Sequence, residues 1–146
     1  VDLNWSTNGL EKKFDIVLID APCSGIGTWS RSPDSRFKFN KKKLLELINI
    51  QFDLLLKGSR MVAPGGKLAY VTCSILPEEG VEQIEKFKTL VNSDFSEINM
   101  INMWNDNLSL TNPFQYPFDN GKKSITINPV IHKMDGFFIS MFQRKR

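Results

Sequence analysis

The sequence predicts an α/β fold. Two short apolar segments, residues 14–20 and 67–72, have the length and composition of buried strands, and a stretch with apolar residues at helical spacing separates them. A second helical stretch and a terminal pair of strands follow. This alternation of strands and helices is typical of a sheet covered by helices. With 146 residues, the chain is expected to form one domain at most.

The first predicted strand covers residues 14–20, and a loop rich in Gly, Ser and Pro follows over residues 21–39. Small residues in such a loop let the backbone approach a ligand closely. The first helix is predicted from Asn40, a suitable N-cap, to about Val62. Its apolar face recurs at spacings of three and four and consists of Leu44, Leu47, Ile48, Phe52, Leu55 and Leu56.

The second half of the chain begins with a predicted tight connection at Pro64-Gly65-Gly66, followed by the second strand at residues 67–72. Ser74 to Glu79 resembles the opening of a second helix, with Pro and acidic residues near its N-terminus, and this helix is predicted to end near Val91. Loops and one short strand are expected over residues 93–121. Residues 124–129 and 136–143 are predicted to form the terminal antiparallel pair.

The composition is that of a soluble globular protein. Hydrophobic residues make up 41% and charged residues 24% of the chain, and no apolar run approaches the roughly 18–20 residues that span a bilayer. With no secretory signal visible, we expect a cytoplasmic location and no membrane partner. The first residue is Val1 and not Met, which suggests a fragment or a processed chain.

The net charge of +3 is mild, but basic residues cluster after residue 30. Solvated surface lysines are the usual explanation of such clusters, and a face that follows nucleic-acid phosphates is the alternative. The cluster consists of Arg31, Arg36, Lys38, Lys41, Lys42 and Lys43.

The two cysteines, Cys23 and Cys73, each follow a predicted strand. Because ligands of open α/β sheets bind at the carboxyl ends of the strands, these ends form a candidate catalytic site. Nothing indicates secretion, so reduced thiols are expected in preference to a disulfide. A following helix N-terminus would lower the pKa of Cys73, and backbone N–H groups of a Gly- and Ser-rich turn could form a nest around Cys23. These arguments do not choose between the two thiols.

Two further residues and the question of a metal bear on the site. Asp20 ends the first strand, where a carboxylate is either a hydrogen-bonded turn residue or a group that binds a polar ligand. His132 is the single histidine and lies far from both cysteines in sequence, so a structural role is expected. Two cysteines cannot form a zinc site unaided, so no metal is predicted.

Together these segments resemble the Nop2/Sun family of RNA cytosine-C5 methyltransferases, whose bacterial branch includes 16S ribosomal RNA methylases. The two cysteine-bearing segments, Asp20-Ala21-Pro22-Cys23-Ser24 and Thr72-Cys73-Ser74 with the following Pro77-Glu78-Glu79, are the most specific part of the resemblance. Further matches lie at Arg31-Ser32-Pro33-Asp34, Gln51, Pro64-Gly65-Gly66 and Asp135-Gly136-Phe137-Phe138.

The resemblance implies a Rossmann-like class I methyltransferase fold that uses S-adenosylmethionine and binds RNA. It implies that Cys73 is the nucleophile that adds to C6 of cytosine, and that Cys23 serves product release. Asp20 would lie at the boundary of cofactor and substrate, and Asp2 would lie near the adenine. On the substrate side, Pro22 and Arg31 lie in matching segments, and the basic loop after Cys23 together with Lys41 and Lys42 could hold the RNA phosphates.

The family's Gly-rich first motif and its ribose-binding acid have no counterpart in this sequence. We therefore expect residues 1–146 to be the C-terminal portion of a single methyltransferase domain within a longer parent enzyme. Two alternatives remain open: a catalytically silent truncated fragment or RNA-binding remnant, and a thiol-redox protein that uses Cys23 and Cys73, although the two are not in a Cys-x-x-Cys arrangement.

Overall fold

The computed structural model describes residues 6–34, 37, 39–91, 93–107 and 123–146. Over this part of the chain, two helices pack on one face of a mixed β-sheet and a shorter helix packs on the other. The predicted α/β class is confirmed.

A parallel strand–helix–strand unit forms the centre of the fold. Strand β1 (Phe14–Asp20) leads through the loop to helix α1 (Lys41–Met61), which returns the chain to strand β2 (Val62–Thr72). The side chain of Asn40 accepts a hydrogen bond from Lys43 N at 2.9 Å, so the predicted N-cap is confirmed. β1 and β2 pair in parallel, with Leu18 opposite Ala69.

Strand β2 begins five residues earlier than predicted. The segment Pro64-Gly65-Gly66 is not a connection before the strand but an irregularity within it, because the register shifts from Phe14 opposite Val62 to Ile16 opposite Lys67. Gly65 has a φ of +80°, a left-handed conformation that suits glycine. The turn residues therefore form a bulge, and α1 passes directly into β2.

The second helix also differs at its start. A single 3₁₀ turn covers Pro77–Glu79, and helix α2 (Val81–Val91) begins after Gly80. The backbone of Gly80, with φ −123° and ψ −102°, is incompatible with a continuous helix through this point. The predicted single helix from Ser74 is therefore wrong at its N-terminus and right at its end.

The remaining elements complete the sheet. They are strand β3 (Phe95–Glu97), helix α3 (Met100–Asn107), strand β4 (Ile125–Ile127), helix α4 (Pro129–His132) and strand β5 (Phe137–Arg144). The strand order is β1-β2-β5-β3, and β4 also pairs with β5. The predicted short strand and the terminal antiparallel pair, β4 with β5, are confirmed, whereas α3 was expected to be loop.

Alternate residues of β5 face two separate clusters of buried side chains. Phe138 and Phe142 pack with α1 and α2 in the main core, which contains the fully buried Leu55, Tyr70 and Phe87. On the opposite face, residues of β5, among them Ile139, pack against α3 and β4 in a smaller cluster. β5 is therefore buried on the face of the main core and partly buried on the other.

The outer edge of β1 has no strand partner among the described residues. Phe14, Ile16 and Leu18 on this strand are 40%, 67% and 64% exposed. Large apolar side chains at these exposures leave an open apolar surface at the β1 end of the sheet.

Candidate active site

The structure brings the two cysteines into contact at the carboxyl ends of β1 and β2. Because the two strands are parallel neighbours, their carboxyl ends meet at the same edge of the sheet. Cys23 follows β1 and Cys73 follows β2, and their sulfur atoms lie 3.1 Å apart. A disulfide requires about 2.05 Å, and both residues are free thiols, as predicted.

This contact makes the two thiols chemically unequal. The hydrogen bond between the two sulfurs lowers the pKa of Cys73 from 9.0 to about 7, although burial and the charges of Asp20 and Glu79 act in the opposite direction. This order of the pKa values assigns Cys23 as the S–H donor. The same hydrogen bond, together with burial, raises the pKa of Cys23 above its usual range, although the backbone of Gly25 acts in the opposite direction. Cys73 is therefore the thiol that ionises first.

The expected source of this shift was wrong. A helix N-terminus directly after Cys73 was predicted to stabilise its thiolate, but α2 begins only at Val81 and is preceded by a single 3₁₀ turn. The neighbouring thiol of Cys23 takes that role.

Backbone hydrogen bonds attach the Cys23 loop to two other segments. Ala21 N donates to Val71 O at 2.9 Å, and Gly27 N donates to Cys73 O at 3.0 Å. On the other side of the loop, Gly136 N donates to Gly27 O at 2.8 Å. The loop is thus fixed between the end of β2 and the turn that precedes β5.

A buried polar cluster lies beneath the same loop. The carboxylate of Glu79, a fully buried residue, accepts hydrogen bonds from Ser24 N at 2.8 Å, from Ser24 Oγ and from Gln51 Nε2 at 3.0 Å. Gln51 Nε2 also donates to the carbonyl of Pro22 at 2.9 Å. The cluster therefore fixes the residues on both sides of Cys23.

Glu79 and Gln51 were predicted only as matches to the family's motifs, without a role in the site. One signal was present, because Gln51 lies three residues after Ile48 and four before Leu55, on the apolar face of α1. A polar residue at such a position needs a buried hydrogen-bond partner. For Glu79 the resemblance was the only signal, because its acidic character fitted a helix N-terminus equally well.

The predicted ligand-binding residues occupy different surroundings. Asp20 is exposed at the end of β1, with no hydrogen bond to its carboxylate among the described residues, whereas the Pro22 carbonyl faces Gln51. Arg31 forms a 2.6 Å ion pair with Asp135 through an exposed side chain. Lys41 and Lys42 are exposed in the first turn of α1, at the sheet edge that carries the cysteines. The predicted residues Asp2, Arg36 and Lys38 lie outside the described residues.

His132 has the structural role that was predicted. Its Nδ1 atom lies 2.9 Å from Asn128 N, where it stabilises the short helix α4. Within the described part of the chain, no group of His, Cys, Asp or Glu side chains is arranged to hold a metal ion. No helix of that part is long and apolar enough to cross a membrane.

Comparison with known proteins identifies the family. Residues 2–143 match the family described as 16S rRNA methyltransferase RsmB/F. The chain belongs to this family. Curated relatives include ribosomal RNA small subunit methyltransferase B of Salmonella dublin, 42% identical over 77 residues, and that of Klebsiella pneumoniae, 42% identical over 83 residues. These matches cover 53% and 57% of this chain, but only 18% and 19% of the relatives.

Solved structures agree with this membership of the RsmB/F family. The structure of PH0851 is 31% identical, with a TM-score of 0.75 over 93% of this chain and 27% of that one. A methyltransferase homologue from Pyrococcus horikoshii is 32% identical, with a TM-score of 0.62 over 91% of this chain and 39% of that one. NSun6 from Pyrococcus horikoshii, which was solved with SFG, is 21% identical to this chain. Its TM-score is 0.65 over 88% of this chain and 29% of that one, and at this identity the likeness supports the fold alone. The predicted Rossmann-like methyltransferase fold is confirmed.

Proposed function

We propose that this chain is the thiol-bearing C-terminal part of an S-adenosylmethionine-dependent methyltransferase domain that modifies C5 of cytosine in ribosomal RNA in the cytoplasm. The observation that carries the proposal is the contact between the two thiols at the carboxyl edge of the sheet. There the pKa of Cys73 is lowered to about 7, mainly by the hydrogen bond from Cys23, so that a nucleophilic thiolate is present at neutral pH.

In the proposed reaction, the Cys73 thiolate forms a bond to C6 of cytosine, and the electron pair of the C5–C6 double bond makes C5 nucleophilic. C5 then forms its bond to the methyl group that S-adenosylmethionine would supply, while the bond between that methyl group and the cofactor's sulfur breaks and its electron pair stays on the sulfur. Loss of the C5 proton to a base returns an electron pair, the double bond re-forms, and the Cys73–C6 bond breaks. Cys73 leaves as a thiolate, which the S–H of Cys23 stabilises by the hydrogen bond that connects the two sulfurs at 3.1 Å. This gives Cys23 a role in product release.

S-adenosylmethionine supplies an electrophilic methyl group when bound. Asp20 fits such a polar ligand, because its exposed carboxylate lies at the same sheet edge as the thiols and has no hydrogen-bond partner among the described residues. Support for the cofactor class comes from membership of the RsmB/F family of 16S rRNA methyltransferases. The open apolar surface of β1 supports the further proposal that more strands extend the sheet on this side.

The position of the lysines supports an RNA substrate. Lys41, Lys42 and Lys43 occupy the first turn of α1, which contains no acidic residue. Cations at a helix N-terminus oppose the macrodipole and destabilise the helix. Their presence at the edge that carries the thiols is explained if they bind the phosphates of an RNA strand whose target base enters the site.

The test is transfer of a labelled methyl group from S-adenosylmethionine to ribosomal RNA by the complete gene product. Cys73→Ala should abolish transfer, whereas Cys23→Ala should form a covalent protein–RNA adduct that accumulates. Ser93→Ala, an exposed change away from the thiols, serves as the control and should behave as the unaltered protein. Full transfer by Cys73→Ala would show that the assignment of the nucleophile is wrong.

The sulfur–sulfur distance of 3.1 Å favours one second candidate, a dithiol that is oxidised to a disulfide. Two thiols and one molecule of hydrogen peroxide give the disulfide and two molecules of water, and the sulfurs need to approach by about 1 Å to reach bonding distance. Mass spectrometry after mild peroxide treatment tests this, because tryptic peptides 14–31 and 68–86 carry one cysteine each. Unlinked peptides would eliminate this candidate and leave the first unaffected.

A further inference from the structure

Glu79 is a buried carboxylate with no cationic partner among the described residues. It is fully buried, and its three hydrogen-bond donors are all neutral groups. A buried charge without a counterion is unfavourable unless several hydrogen bonds compensate it. Such a residue therefore calls for a structural or functional explanation.

The donors to Glu79 belong to the Cys23 loop or support it. Oε1 accepts from Ser24 N at 2.8 Å and from Gln51 Nε2 at 3.0 Å, and Oε2 accepts from Ser24 Oγ. Ser24 is the residue directly after Cys23, and Gln51 also binds the carbonyl of Pro22, directly before it. The carboxylate thus contacts the loop where it carries the thiol.

The backbone of Glu79 is attached to the other side of the site. Tyr70, a fully buried residue of β2, donates its hydroxyl to Glu79 O at 2.9 Å, and Glu79 N donates to Leu76 O at 3.1 Å. Cys73 follows directly after the strand that contains Tyr70. Glu79 therefore connects the segment that carries Cys73 with the loop that carries Cys23.

We propose that Glu79 is a positioning residue, which holds Ser24 so that the S–H of Cys23 lies on the sulfur of Cys73. The catalytic meaning of this arrangement rests on the function proposed above. The charge of Glu79 does not provide the benefit, because a negative charge near the thiols opposes formation of a thiolate. The site requires a side chain at position 79 that is long enough to hydrogen-bond to Ser24.

Two substitutions separate reach from charge. Glu79→Gln keeps the reach and removes the charge: its amide oxygen can accept from Ser24 N and Gln51, and its amide N–H can donate to Ser24 Oγ. Glu79→Asp keeps the charge but shortens the side chain by one carbon–carbon bond, about 1.5 Å. Glu78→Gln is the matched control, because it removes the neighbouring charge and the Glu78 Oε2 atom has no hydrogen-bond partner among the described residues.

The experiment measures the rate of iodoacetamide alkylation of each cysteine against pH, in the 146-residue chain. Cys23 and Cys73 fall on different tryptic peptides, 14–31 and 68–86, so mass spectrometry follows them separately. In the unaltered chain, Cys73 should titrate with a midpoint of about 7. Glu79→Asp should raise this midpoint by one pH unit or more, because the Cys23 donor is displaced. Glu79→Gln should leave it at about 7 or lower it, and Glu78→Gln should leave it unchanged.

An Asp variant that is folded by circular dichroism and titrates as the unaltered chain would overturn the proposal. So would a Gln variant whose Cys73 midpoint rises by one unit or more, and this second arm decides the question if the Asp variant does not fold. No RNA or methyl donor is present in the experiment. Its outcome is therefore independent of methyl transfer, and a failure of the positioning role is distinguishable from a failure of the proposed function.

Discussion

Gly27 is the residue at which the smallest change is expected to disturb the thiol pair most. Its backbone N–H donates to Cys73 O at 3.0 Å, and its carbonyl accepts from Gly136 N at 2.8 Å. A Cβ atom at Gly27 would lie 2.2 Å from the carbonyl oxygen of Gly136 and 2.7 Å from its carbonyl carbon. Both neighbours are backbone atoms, so no side chain can rotate away to make room.

The structure gives the size of the effect of Gly27→Ala. Real Cβ contacts are essentially never shorter than 3.0 Å, so the two segments must separate by about 0.8 Å, the difference between 3.0 and 2.2 Å. That displacement takes the hydrogen bond between Gly136 and Gly27 beyond 3.5 Å and strains the one to Cys73. The loss of one partly buried backbone hydrogen bond and the weakening of a second are expected to lower the free energy of unfolding by about 2–4 kcal/mol.

Urea unfolding followed by tryptophan fluorescence measures this difference by linear extrapolation. Gly9→Ala is the matched control, because Gly9 has a φ of +78° and no atom lies within 4 Å of the added Cβ. Only the left-handed backbone conformation then destabilises the variant, by about 1–2 kcal/mol. The alkylation midpoint of Cys73 should rise in Gly27→Ala and stay at about 7 in Gly9→Ala. A Gly27→Ala chain that loses less stability than Gly9→Ala, with an unchanged midpoint, would refute the reasoning.

Three further predictions concern the other parts of the site. Cys23→Ala removes the donor to Cys73, so the pKa of Cys73 should rise from about 7 towards 9.0. Because the thiolate is the reactive form, single-turnover methyl transfer should fall most at neutral pH and recover at alkaline pH. An unchanged pH profile of the transfer rate would contradict this. The double substitution Lys41→Glu and Lys42→Glu should stabilise α1 by about 0.3–1 kcal/mol per residue, because acidic residues at a helix N-terminus interact favourably with the helix dipole. The same variant should bind RNA more weakly in a filter-binding assay, and stronger RNA binding would contradict the phosphate role. Asp20→Asn in the complete gene product should weaken S-adenosylmethionine binding by about tenfold in calorimetric titration, and unchanged binding would remove Asp20 from the cofactor site.

Much of the fold could be predicted because its signals are local. Strand β1, the helix capped by Asn40 and the terminal antiparallel pair follow from apolar spacing and capping chemistry within a few residues. The start of β2 could not be predicted in this way. Pro64-Gly65-Gly66 has the composition of a turn, and only pairing with β1 on both sides of it makes it a bulge inside a strand.

The candidate active site likewise contains features that local sequence predicts and features that depend on residues far apart in the chain. The position of each cysteine after a strand predicted that both would lie at one edge of the sheet, and the 3.1 Å contact agrees with this. The hydrogen bond that makes the two thiols unequal could not be predicted, because it joins residues that are 50 positions apart in the chain. The hydrogen bonds of Glu79 and Gln51 could not be predicted for the same reason, since their partners Ser24 and Pro22 lie 55 and 29 residues away in the chain.

The most direct test of the account is to identify the residue that bonds to the target base. The complete gene product is incubated with S-adenosylmethionine and ribosomal RNA that contains 5-fluorocytidine. Release of the base from the protein requires loss of a proton from C5, and fluorine at C5 cannot be lost in this way, so the covalent adduct accumulates. The protein–RNA adduct is then digested and sequenced by mass spectrometry. The account predicts an adduct on Cys73, within residues 68–86, that is absent in Cys73→Ala. An adduct on Cys23 instead, or methyl transfer without any adduct, would contradict it.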